Sequence, residues 1–186
     1  MQKIIDTLEK YAPISQEAYQ AISEIAVCKQ YKKGDFVLKE GSICQRVGFV
    51  EKGLTRGFYY EDGKDITTYF ASEENPCLSA YSFISQQPSQ ESIEVLEDSI
   101  IWSITYEQLQ NLYKLFPKLN ILGRLFTEDY YMMLEEHTRA LKHKSSKERY
   151  LNFVENQPDL IQRVSLTHIA SFLGMTKENL SRIRRI

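Results

Sequence analysis

Apolar positions change their period twice along this chain. Between residues 3 and 26, Ile4, Leu8 and Tyr11, then Ala18, Ile22 and Ile25, recur at intervals of three and four, with Pro13 between the two sets. Such stripes belong to amphipathic helices, and proline cannot continue one, so two short helices are expected. From about residue 30 the period shortens. "DFVLKEG", "RVGFVEKG", "LTRGFYY", "DITTYF", "SIEVL" and "IIWSI" are short runs rich in β-branched and aromatic residues, separated by glycine and polar turns. In "YYEDGKDITTYF" the Asp62-Gly63 pair suits the positive φ angles of a type I′ hairpin turn. Many short antiparallel strands imply a sandwich or barrel rather than a parallel sheet.

The helical period returns in "TYEQLQNLYKLFP", where Thr105 is placed to cap, and then in "PKLNILGRLFTEDYYMMLEEHTRALKHK". Pro117 fits a first helical position. Leu119, Leu122, Phe126, Tyr130, Met133, His137 and Leu141 share one stripe, widened by Leu125, Met132 and Leu134. A helix of about 26 residues reaches about 39 Å, more than a compact barrel needs. It either covers the barrel or forms a two-fold dimer seam through Leu122, Phe126, Tyr130, Met133 and His137; its length favours the seam. On that stripe His137 reads as a packed or interfacial residue rather than a ligand. "SSKERYLNFVENQPDL" restarts a helix, with Ser145 and Glu148 spaced as a capping box and Asn156 to Asp159 ending it. A boundary is therefore expected near residues 143–146.

Charge divides the chain at nearly the same place. Residues 1–138 carry 13 Lys/Arg against 21 Asp/Glu, a net of −8, whereas residues 139–186 carry 10 against 4, a net of +6. An acidic body with a basic end implies a polyanionic partner for the end alone. No apolar run reaches eighteen residues, and the N-terminus lacks the apolar core of a signal peptide. No membrane partner and a cytoplasmic location are expected. Cys28, Cys44 and Cys77 include no CxxC pair, so they are expected to be small buried apolar side chains rather than metal ligands. Residues 30–110 contain no histidine, and no Ser/His/Asp or Cys/His set is present. Metal-dependent barrel chemistry and nucleophilic catalysis both lack their groups, so no enzyme, metal or cofactor is expected.

The basic end closes with "SLTHIASFLGMTKENLSRIRRI". Ser165 can cap a helix over Leu166 to Leu173, Gly174 can turn with positive φ, and Thr176 can cap a second helix with Glu178 in its first turn. Ile169, Ala170, Leu173, Met175, Leu180 and Ile183 would face inward. Ala170, Gly174 and Leu180 have the spacing of a helix-turn-helix, whose steep crossing needs a small residue at closest approach. Lys177, Glu178, Ser181, Arg182 and Arg185 face outward. Arg and Lys donate to guanine and Glu accepts from cytosine, while Arg184 and Arg185 would meet phosphates. The candidate DNA-contacting set is Thr176, Lys177, Glu178, Ser181, Arg182, Arg184 and Arg185. The competing reading is a basic helical hairpin that only packs.

With a β-roll, a long helix and a terminal helix-turn-helix in that order, the chain resembles the Crp/Fnr family of bacterial transcription regulators. The matching segments are "KKGDFVLKEGSICQRVGFVEKGLTRGFYYEDGKD" and "ASFLGMTKENLSRIRR". The resemblance implies an α+β chain: an antiparallel β-roll of cyclic-nucleotide-binding type over residues 1–116, a dimerisation helix over 117–143, and a winged-helix-type DNA-binding domain over 144–186. It implies a homodimer on a palindromic operator, read by Lys177, Glu178 and Arg182, with RNA polymerase as a further partner if it activates. In family members that bind cyclic AMP, a short helix and loop supply a Glu for the ribose and an Arg-Ser pair for the phosphate. Here that segment is "CLSAYSFISQQPSQESIEV", with Ser79, Ala80, Tyr81, Glu91 and Ser92 as the candidate pocket residues. Ser92 matches the serine, but Ala80 stands in for the Glu and Glu91 for the Arg. A phosphate beside Glu91 would be repelled, so cyclic AMP binding is not expected and any effector is a different small molecule. The expected wing is also missing, since the sequence stops at Ile186. Another reading keeps the roll as a non-enzymatic ligand sensor whose C-terminal module is degenerate and binds no DNA.

Overall fold

The computed structural model describes residues 1–185; Ile186, and with it the expectation about how the recognition helix is followed, lies outside the described residues. Two helices open the chain, α1 (Gln2–Glu9) and α2 (Gln16–Ile25), broken around Pro13 as the pattern requires. Ser15 caps α2 by accepting from the Ala18 amide. Eight strands follow: β1 (Val27–Tyr31), β2 (Phe36–Leu38), β3 (Arg46–Lys52), β4 (Thr55–Glu61), β5 (Lys64–Ala71), β6 (Pro76–Cys77), β7 (Ser92–Val95) and β8 (Ser99–Thr105). They form two four-stranded antiparallel sheets, in the orders β1-β8-β3-β6 and β2-β7-β4-β5. Val50, Ala71, Cys77, Ile93 and Ile101 fill the space between them. The β4–β5 hairpin turns at Asp62 (φ 50°) and Gly63 (φ 74°), as a type I′ turn requires.

Short helix α3 (Ala80–Ser85) sits between β6 and β7. After the roll come α4 (Tyr106–Leu115), closed at its start by a Thr105/Gln108 capping box, and α5 (Lys118–His143), 26 residues long. Pro117 occupies the capping position one residue earlier than expected, already with helical angles. Leu112, Leu119 and Leu122 pack with Ala18 and, around them, Leu8 and Tyr11, so the N-terminal helices cover the first half of α5.

The last third comprises α6 (Ser146–Asn156), α7 (Leu160–Arg163), α8 (Leu166–Phe172) and α9 (Lys177–Ile183). The Ser145/Glu148 capping box starts α6. Phe153, Leu160, Val164, Ile169, Ala170, Leu173 and Leu180 form its core, and Leu54 of the roll joins the same cluster. The terminal helices are thus seated on the roll.

Two expectations need correction, and two strands carry no readable pattern. Strands β1 and β6 were not visible as strands: β1 lies at a sheet edge with four of its five residues exposed, so it has no alternation to read, and β6 is only two residues long. Cys28, on β1, is consequently exposed, while Cys44 and Cys77 are buried. The named seam residues mostly face inward. Leu122 is buried, Phe126 packs on Tyr11 and Phe49, Tyr130 is half-buried, and His137 stacks on Phe172; only Met133 is exposed. The apolar residues that α5 leaves uncovered are Ile121, Tyr131, Met132, Met133, Leu134 and Leu141. The stripe was broad enough to serve two faces, and the inner one is spent within the chain.

Candidate functional site

The two closing helices are built by local chemistry. Ser165 Oγ accepts from the His168 amide at 3.2 Å and starts α8. Gly174 ends it at φ +62°, where a side chain would be strained, and the Met175 amide bonds back to the Ala170 carbonyl at 3.0 Å. Thr176 Oγ1 then accepts from the Asn179 amide at 3.2 Å and opens α9. Leu180, fully buried, pins α9 against Ile169, Ala170 and Leu173.

Arg149 of α6 locks the turn between them. Its guanidinium donates to the carbonyls of Leu173 (2.8 Å), Gly174 (3.2 Å) and Lys144 (2.6 Å), satisfying acceptors that a helix end leaves open. Asn179 adds a bond to Ser146 Oγ at 3.2 Å. No local pattern announces this clamp, because Arg149 and Gly174 lie 25 residues apart.

Thr176, Lys177, Glu178, Arg182, Arg184 and Arg185 are exposed and Ser181 is half-buried. None of the four cations pairs with a carboxylate among the described residues. A capped helix therefore presents a basic surface with its donors unspent.

Helix α8, rather than α9, meets the roll. Ser171 Oγ accepts from the Thr67 amide and donates to the Asp65 carbonyl, both at 2.9 Å, so it joins the edge strand β5. Nearby, buried Arg56 is held by Asp65, Glu94 and Thr67. His168 faces this group: burial lowers its pKa, Arg56 lowers it further, and Asp65 and Glu94 oppose. A second arginine, Arg163, ties the end of α7 to the roll through Glu73 (2.8 Å), Glu97 (2.8 Å) and the Gly53 carbonyl (3.0 Å). Burial pushes the Glu73 carboxyl up, but Arg163 and the backbone amides of Glu73 and Gly53 outweigh it and hold the pKa at about 2.

A cavity of about 830 Å³ lies where roll, long helix and terminal helices meet. Of the candidate pocket residues, Ala80, Tyr81 and Glu91 line it. Ser79 is buried, and Ser92 Oγ is engaged by the Glu40 amide at 3.0 Å. Glu91 Oε2 accepts from Thr68 Oγ1 at 2.8 Å and forms no ion pair among the described residues. Burial raises the pKa of Tyr69 and of Tyr130, and the Glu91 charge raises both further.

The family described as the cyclic nucleotide-binding domain matches residues 28–115, which span β1 to the end of α4. That match covers 88 of the 186 residues. A search of curated proteins returned no match. Solved structures share the architecture well beyond that domain. FixK2 from Bradyrhizobium japonicum superposes with a TM-score of 0.73 at 20% identity, over 87% of this chain and 83% of that one. A putative transcriptional regulator of the Crp/Fnr family from Eubacterium rectale gives 0.69 at 22% identity, over 95% and 87%. The c-di-GMP-responsive global regulator CLP from Xanthomonas campestris gives 0.70 at 17% identity, over 92% and 90%. The chain thus shares the overall fold of these solved structures. Within residues 28–115, α3 and the loop before β7 form the cavity wall that contains Glu91.

Proposed function

We propose that this protein is a sequence-specific DNA-binding transcription regulator of the Crp/Fnr type, working as a homodimer and not answering to cyclic AMP. The observation that carries the reading is α9: capped, clamped by Arg149, and exposing Lys177, Arg182, Arg184 and Arg185 without ion-pair partners among the described residues. Lys177, Glu178 and Arg182 lie on its first two turns and would reach base edges, with Thr176 and Ser181 beside them. Arg184 and Arg185 would neutralise phosphates. Two copies joined along α5 would present two such helices to a palindromic site.

Cyclic AMP is disfavoured by Glu91. An unpaired carboxylate in a partly buried pocket repels a phosphate, and no cation pairs with it among the described residues. Selecting bound duplexes from a random pool tests the DNA reading. The expected product is a palindrome with half-sites about one helical turn apart. Recovery of no enriched sequence would contradict it. Calorimetric titration with cyclic AMP, expected to give no heat of binding, tests the effector reading separately.

A further inference from the structure

We propose that the cavity between roll, long helix and terminal helices binds a small organic cation, with its positive group against Glu91. The proposal rests on reading the roll as a small-molecule sensor, and not on the terminal helices reading DNA.

At about 830 Å³ the cavity is of the size that encloses a small ligand. Its inner end has an unusual balance of donors and acceptors. Glu91 offers two carboxylate oxygens and receives one hydroxyl, from Thr68. A carboxylate oxygen left without a side-chain donor in a partly buried site is costly, so this wall calls for a ligand that donates. Tyr69, Tyr81 and Tyr130 also line the cavity, and a ring face attracts a cation. A carboxylate beside tyrosine rings in a partly desolvated pocket selects an ammonium or guanidinium group over any anion.

Three cations, Arg139, Lys144 and Arg149, also line the cavity, and none pairs with Glu91 among the described residues. Arg149 is spent on three backbone carbonyls. Glu136, Arg139 and Lys144 are exposed, at the C-terminal end of α5, and so form the rim. His137 stacks on Phe172, and burial followed by the Arg149 charge lowers its pKa, so it is neutral near pH 7.

Two probes of matched shape and opposite charge, 2-phenylethylamine and 3-phenylpropionate, test this by calorimetry on the full chain without DNA. The amine should bind at least ten-fold more tightly than the acid. Glu91→Gln, nearly isosteric and half-exposed, should remove that preference, and Glu91→Asp should restore part of it. Glu136→Gln on the rim should leave it unchanged. The inference is overturned if the acid binds as well as the amine, if neither binds at millimolar concentration, or if Glu91→Gln makes no difference. Because no duplex is present, failure of DNA reading leaves this result unaffected, and failure here leaves the DNA result unaffected.

Discussion

Phe172 of α8 stacks on His137 of α5, with ring centroids 4.5 Å apart and planes inclined by 22°. The same phenyl ring meets Phe70 of the roll at 5.3 Å and Phe153 of α6 at 5.9 Å. Roll, long helix and terminal helices therefore converge on one side chain, which also lines the large cavity. Anything that moves Phe172 moves the seat of α8 and of the α9 helix packed on it.

Phe172→Ala should loosen that seat without unfolding the roll. Loss of a packed phenylalanine costs about 3 kcal/mol. Hydrogen exchange should speed up in α8 and α9 while the β-strands keep their protection. Equal deprotection everywhere would show that the terminal helices are not a separate cooperative unit.

Acid should have a similar effect through two histidines. Burial, then a nearby arginine, lowers the pKa of both His137 and His168 below the ordinary 6.5. The unfolded chain therefore binds their protons more readily than the folded one, so stability is fully present above pH 6.5 and falls as pH drops through the lower folded values. Wild type should lose more melting temperature between pH 7 and pH 5 than the double variant His137→Phe, His168→Gln. Parallel profiles would remove the histidines from the account.

Arg163→Ala tests the second tether. Glu73 should leave its pKa of about 2 and titrate higher, as burial loses its main opponent. The Glu73 contribution is present above its unfolded value near 4.5 and is lost as pH falls through about 2. Its side chain is 40% exposed, so the loss at neutral pH should be about 1 kcal/mol or less. Carboxyl NMR titration reads the pKa directly, and an unmoved Glu73 would contradict the assignment.

The parts legible in the sequence were those decided within a few residues. Ser165, Gly174 and Thr176 each act on an amide or carbonyl no more than four residues away, and Asp62-Gly63 closes its own turn. Docking of the terminal helices was not legible. Ser171 meets Asp65 and Thr67, and Arg163 meets Glu97, Glu73 and Gly53, across 66 to 110 residues of chain. No local pattern records such pairings. The α5 stripe was legible as apolar but not as to which face it served, because Phe126 and His137 find partners that only the tertiary fold supplies. At the candidate site, Lys177 and Arg182 could be named from helical spacing, whereas Thr68 and Gln157 came to the cavity by folding alone.

Dimerisation should depend on the outer face of α5. Tyr131, Leu134 and Leu141, spaced three and seven residues apart, are exposed in the single chain. Leu134→Glu should convert a dimer to a monomer in light scattering while preserving the melting temperature of the roll. A monomeric wild type at micromolar concentration would remove the seam.

The most direct test of DNA reading is the salt dependence of binding to the duplex selected from a random pool, in wild type, Arg182→Ala and Arg184→Ala. Wild-type affinity should fall linearly on a log–log plot against salt. Arg184→Ala should weaken all sequences alike and flatten the slope by about one. Arg182→Ala should cost about 1–3 kcal/mol and relax preference at one base pair of each half-site. Wild-type protein that binds no duplex in a salt-dependent manner would contradict the regulator reading outright.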